Sequence, residues 1–80
     1  MDTRKAVAKR IMELCDTQNI TIHALARLSA VPPSTLKNII HGGSQSAGIV
    51  NIKKICDGFE ITLGEFFSTK EFDQLEQEIK

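Results

Sequence analysis

Tryptophan and tyrosine are absent from this 80-residue chain, and proline and cysteine occur only twice each. No apolar run approaches the roughly 20 residues that a membrane-spanning helix needs. The opening residues Met1, Asp2, Thr3, Arg4 and Lys5 lead into a charged amphipathic stretch without the apolar centre of a secretory signal. A cytoplasmic location is therefore expected. Cys15 and Cys56 are far apart and each lies inside an apolar helical pattern, the setting of buried structural thiols. A disulfide is not expected in a reducing compartment. Together with His23 and His41 these cysteines lack the close paired spacing of a zinc site. The length allows one small domain. At this size folding buries only about 60–65% of the unfolded surface, so most elements must share one core.

Net charge is absent as well: ten Lys and Arg balance ten Asp and Glu. The distribution is uneven. Residues 1–16 carry Arg4, Lys5, Lys9 and Arg10 against Asp2, Glu13 and Asp16. Between residues 17 and 56 there is no acid, only Arg27, Lys37, Lys53 and Lys54. Seven acids (Asp57, Glu60, Glu65, Glu71, Asp73, Glu76 and Glu78) then face Lys70 and Lys80. An acid-free middle can meet a polyanion while an acidic end keeps the protein soluble. Chance clustering in a short chain gives such a pattern too, so charge counts only where it agrees with shape.

Every periodic segment reads as helix, and the expected fold class is all-α. Residues 3–17 place Val7, Ile11, Leu14 and Cys15 on one stripe, and Asn19 suits the left-handed stop of a helix. Thr21 is an N-cap for a second helix over 22–29. Pro32 disfavours helical geometry at Val31, whereas Pro33 fits a first helical turn. A third helix should thus run over 33–41, ended by Gly42 and Gly43. The small polar stretch 42–48 is a loop. A fourth helix over 49–57 carries Ile49, Ile52, Ile55, Cys56 and Phe59 on one stripe. Thr62 and Glu65 form a capping box for a short fifth helix burying Leu63, Phe66 and Phe67. Ser68 and Glu71 repeat that spacing at the start of an acidic amphipathic tail helix over 68–80, with Phe72, Leu75 and Ile79 on one side.

The segment 22–41 is the informative one. At about 100° per residue, Ser34, Lys37, Asn38 and His41 share one arc of the third helix, and Leu36, Ile39 and Ile40 the opposite arc. One face is anchored in a core. The other carries short hydrogen-bonding groups and a cation, with no acid, which suits a helix lying among the donors and acceptors of a DNA major groove. The same face would also serve as an ordinary solvated surface. Ala26 and Ala30 supply small residues where two helices joined by a tight turn must cross. The series Leu25, Ala26, Ala30, Val31, Leu36 and Ile39 is similar to the helix-turn-helix pattern.

On these residues the chain resembles the lambda-repressor-like, Cro/CI-type (Xre-like) helix-turn-helix family, over about residues 7–67. The strings Ile-Lys-Lys-Ile-Cys-Asp-Gly-Phe at 52–59 and Ile-Thr-Leu-Gly-Glu-Phe-Phe at 61–67 look like the fourth and fifth helices of small bacterial and phage regulators. Leu25, Ala26, Val31, Ser34, Thr35, Leu36 and Ile39 fit the family pattern. The resemblance implies a compact five-helix DNA-binding domain over 1–67, followed by the tail helix, packed on the domain or forming a dimer seam. It implies base reading by Pro33, Ser34 and Asn38. Thr35, Lys37 and His41, with Ser44, Gln45 and Ser46 of the loop, are implied for phosphates or flanking bases. Phosphate contacts fix register rather than sequence. Three positions depart from the pattern: Pro33 has no polar group, Ile22 stands where Gln is common, and Ala30 where the turn usually has Gly. His23 and Arg27, four residues apart, read as a solvated pair.

Catalysis is not expected. No Ser, His and acid combination stands out, and no phosphate-cradling Gly loop follows a strand. Two functions remain open. One is a sequence-specific DNA-binding transcriptional regulator, a repressor, that needs no cofactor, shows no small-molecule ligand and takes double-stranded DNA as partner. The other is a protein-interaction module on the same fold, an antitoxin or adaptor, since fold does not fix function. A homodimer would double a site of a few base pairs.

Overall fold

The computed structural model describes residues 2–42 and 47–79. Among them there are six helices and no strand: α1 (Thr3–Gln18), α2 (Ile22–Ser29), α3 (Pro33–His41), α4 (Ile49–Phe59), α5 (Leu63–Phe66) and α6 (Lys70–Asp73). The first five are those expected of the domain and α6 is the short tail helix.

Local chemistry sets the boundaries. Asp2 Oδ1 accepts from Lys5 N–H at 2.8 Å and Thr21 Oγ1 from Ala24 N–H at 3.0 Å, each satisfying a donor that a helix start leaves open. The capping box on α5 is reciprocal: Thr62 Oγ1 accepts from Glu65 N–H and Glu65 Oε1 from Thr62 N–H. Helices α1 and α4 end alike. Asn19 and Glu60 adopt left-handed φ of 55° and 60°, while Ile20 N–H and Ile61 N–H reach back to Cys15 O and Cys56 O at 3.0 Å. This is the Schellman arrangement, and its apolar follower packs inward in both cases.

The core draws on five helices: Val7, Ile11, Leu14 and Cys15 from α1; Leu25 and Ala26 from α2; Leu36 and Ile39 from α3; Ile52, Ile55, Cys56 and Phe59 from α4; and Phe66 from α5, with Val31 from the α2–α3 turn. Helix α1 packs on α3, and α2 on both α3 and α4. The α2–α4 crossing is close. A Cβ placed on Gly58 would stand 3.1 Å from both Ser29 Cβ and Ser29 N, so only glycine lets α4 approach the end of α2 there. Arg10 ties α1 to α5 by donating to Phe66 O at 2.8 Å and Glu65 O at 2.9 Å. Gln18 Nε2 donates to Phe59 O at 2.8 Å, satisfying a carbonyl at the end of α4.

Three details differ from the periodicity. Ile49 does not join the buried stripe of α4 and is 61% exposed, because the first turn of that helix projects beyond the core. The Ser68–Glu71 capping box does not form: Thr69 is the N-cap of α6 without a side-chain bond, and Ser68 Oγ donates to Glu65 O instead. Helix α6 covers only four residues, since residues 74–79 have little to bury and a short isolated helix is marginal in water. Phe72 packs edge-on against Phe67 (4.9 Å between centroids) and lies 6.1 Å from Phe66, whereas Ile79 is 85% exposed. Lys9 pairs with Glu71 at 2.8 Å, and Thr3 Oγ1 donates to Glu78 Oε2 at 2.8 Å, holding the tail near α1.

Candidate nucleic-acid interface

Helix α3 is positioned from beneath. Leu36 is wholly buried and Ile39 nearly so, Ile40 packs on the core from its edge, and α1 and α2 hold the helix from two sides. Removing an apolar side chain such as Leu36 costs about 2–5 kcal/mol in other cores, a measure of how firmly the buried face is held. The outer face is thereby fixed, and it carries Pro33, Ser34, Lys37, Asn38 and His41, all exposed, with Thr35 half-buried at its margin. Ser44, Gln45 and Ser46 lie outside the described residues.

The turn before α3 is made without glycine. Ala30 takes the left-handed conformation itself, with φ 58° and ψ 28°, at a steric cost of roughly 1–2 kcal/mol for a residue with a Cβ. Val31, 1% exposed, plugs the turn into the core, and its N–H donates to Ser29 Oγ at 3.3 Å. Pro32 follows in an extended conformation as N-cap, and Pro33 is the first helical residue. Ile22 is half-buried against the core, so the position where the family pattern commonly has Gln contributes packing instead of a polar contact.

Among the described residues Lys37, the cation of this face, forms no ion pair, whereas Lys53 on α4 pairs with Asp57 of its own helix. Arg4 comes from α1 and sets its guanidinium against Gly42, at the C-terminal end of α3, where the helix dipole favours positive charge. Nothing in the spacing of residues 1–18 signalled that placement; it depends on how α1 crosses α3. His23 and Arg27, read from sequence as a solvated pair, are exposed but also border an open groove of about 410 Å³. Its other walls are Ala26, Ala30, Val31, Pro32 and Pro33. Their four-residue spacing was legible, whereas their adjacency to the start of α3 required the turn.

Among the described residues no three His, Cys, Asp or Glu side chains gather as a metal site would require. Cys15 and Cys56 are buried and free, and burial pushes both thiols above the ordinary cysteine range, which makes them poor nucleophiles. Among the described residues no helix is long and apolar enough to cross a membrane.

A family model described as the Cro/C1-type HTH DNA-binding domain matches residues 10–71. No curated protein matches the chain, and no solved structure does.

Proposed function

Because the chain belongs to the Cro/C1-type helix-turn-helix DNA-binding domain family, we propose that it is a sequence-specific transcriptional regulator, a repressor that occludes a promoter by laying α3 in the major groove. The observation that carries this reading is the division of α3 into a buried face, Leu36 and Ile39, and an exposed, acid-free face of Pro33, Ser34, Lys37, Asn38 and His41. Asn38 has the amide that pairs with the N6 and N7 edge of adenine, and Ser34 a hydroxyl that serves several bases. Pro33 completes the base-reading set. Lys37, His41 and Thr35 meet phosphates or flanking bases, and Ser44, Gln45 and Ser46 extend those contacts along the backbone. These fix the register on which the base contacts depend. One such module spans few base pairs, so a two-fold pair of chains reads an operator of two half-sites. The protein acts without a cofactor in the cytoplasm.

The test is selection from a random duplex pool at low salt, followed by titration of the recovered site against salt. Asn38→Ala should cost about 1–3 kcal/mol and relax one position, while Lys37→Ala should weaken all sequences alike and lower the salt slope by about one. A reporter with the recovered site across its promoter then reads repression. No enriched sequence, with binding no tighter than about 10⁻⁴ to 10⁻⁶ M, would transfer the fold to a protein-binding role.

A further inference from the structure

Arg4 extends the outer face of α3 from a different helix. Its Nη1 lies 2.7 Å from where a Cβ on Gly42 would stand, with Cζ at 3.5 Å and Nη2 at 3.6 Å. Gly42 keeps the register of α3, since its N–H donates to Asn38 O at 3.1 Å. At about 100° per residue it stands one turn past Asn38, about 40° round the helix from it and about 80° from Ser34. Ser34, Asn38 and Gly42 therefore follow one another along one side of α3, and all three are exposed. The guanidinium fills the place that glycine leaves without a side chain, and a Cβ there would have to push it aside. The exposed face of α3 is thus one turn longer than the side chains of that helix make it, and the added group is a cation.

The charge is available to an outside anion. Among the described residues no acid pairs with Arg4. Asp2, whose carboxylate feels the Arg4 charge, holds that carboxylate on Lys5 N–H instead. Arg4 is half-buried, so part of its stem is already ordered and less side-chain entropy is lost when the head takes a ligand. The first turn of α1 does not favour a cation, whereas the C-terminal end of α3 does; that dipole leaves the guanidinium N–H donors free to bind. We propose that Arg4 grips a phosphate of the DNA backbone beside the end of α3, an inference that rests on the regulator reading above. A recognition helix turns its N-terminal residues to base edges. A guanidinium beyond its last turn, carried by a helix outside the groove, meets the sugar-phosphate margin, and its planar fork suits phosphate oxygens. Arg4 thereby fixes the register of Ser34 and Asn38 without reading sequence.

The experiment titrates the full chain against salt on the site recovered from the random pool and on a non-specific duplex of the same length. Arg4→Ala should lower the slope of log affinity against log salt by about one on both duplexes. The ratio of parent to variant affinity should then shrink by about eightfold for each tenfold rise in salt, with base preferences unchanged. Arg4→Gln gives the same reading should the Ala variant not fold. Arg4→Lys should keep the slope, because phosphate accepts a point charge. Lys5→Ala removes the same charge from the exposed neighbour and should leave the slope intact. An unchanged slope in Arg4→Ala overturns the inference and leaves Arg4 as a partner of the α3 dipole. An equal loss in Lys5→Ala overturns it too, as does a guanine preference that disappears at one position with Arg4. These results leave the regulator reading standing. A pool that yields no preferred site, with the slope still falling by about one in Arg4→Ala, removes that reading and keeps the phosphate contact, whereas no binding to either duplex overturns both.

Discussion

Replacing Gly58 by alanine sets two opposed effects against each other, and the structure decides the sign. Gly58 lies in α4 one residue before its end, and alanine is favoured over glycine in a helix interior by up to about 1 kcal/mol. Against that gain stands the contact with the end of α2. The added Cβ would lie 3.1 Å from Ser29 Cβ, 3.1 Å from Ser29 N and 3.2 Å from Ser29 Cα. Two of these atoms are backbone and none is the free end of a flexible chain, so α2 and α4 must separate for the methyl group to fit. Overpacking of this kind costs about 1–3 kcal/mol, leaving a net loss of about 1 kcal/mol, or about 4–8 °C in Tm for a domain of this size. Gly64→Ala is the control: its Cβ would meet nothing nearer than Thr62 Oγ1 at 3.8 Å, an ordinary contact, so the propensity gain should appear as a small rise in Tm. Thermal unfolding of the two variants side by side is the assay. Gly58→Ala should also weaken DNA binding, because Ser29 immediately precedes the turn that aims α3. A Gly58→Ala protein as stable as Gly64→Ala would refute the close-crossing account.

Other perturbations test separate parts of the fold. Ala30→Gly removes a Cβ from a left-handed residue at φ 58°, and urea unfolding should show a gain of about 1 kcal/mol. Thr62→Ala abolishes the capping box on α5 and should cost about 0.5–2 kcal/mol by the same measurement. Phe72→Ala, which empties the place beside Phe66 and Phe67, should lower stability while leaving molar mass in solution unchanged; a fall in mass would assign the tail to a dimer seam. Asp2 should titrate below the usual aspartate range, chiefly because Lys5 N–H donates to its carboxylate, with the charges of Arg4 and Lys5 adding to the effect. A lowered folded-state pKa means the cap stabilises α1 above the unfolded carboxylate's pKa and is lost as pH falls through the lowered value. The Asp2 carboxyl shift in an NMR titration reads this directly, and an ordinary aspartate midpoint would contradict it.

The sequence by itself determined the elements and the outer face of α3. Apolar spacing, Thr21, Pro33, Gly42 and the Thr62–Glu65 pair are local signals, and local hydrogen bonding honours them without reference to the rest of the chain. The exposed set Ser34, Lys37, Asn38 and His41 was legible for the same reason, since one helix wheel separates it from Leu36 and Ile39. Where the periodicity misled, the cause lay in depth of burial. Ile49 and Ile79 match their stripes, but a stripe says which side of a helix is apolar, not how far along that side a core extends. The left-handed Ala30 was equally open from composition, because alanine adopts that conformation only when Val31 and the packing of α2 against α3 hold the turn closed. Tertiary structure alone brought Arg4 to the end of α3, set Gly58 against Ser29, and joined His23 and Arg27 to the two prolines around one groove. Each of those contacts joins residues from different helices, and their meeting depends on crossing angles that no single helix encodes.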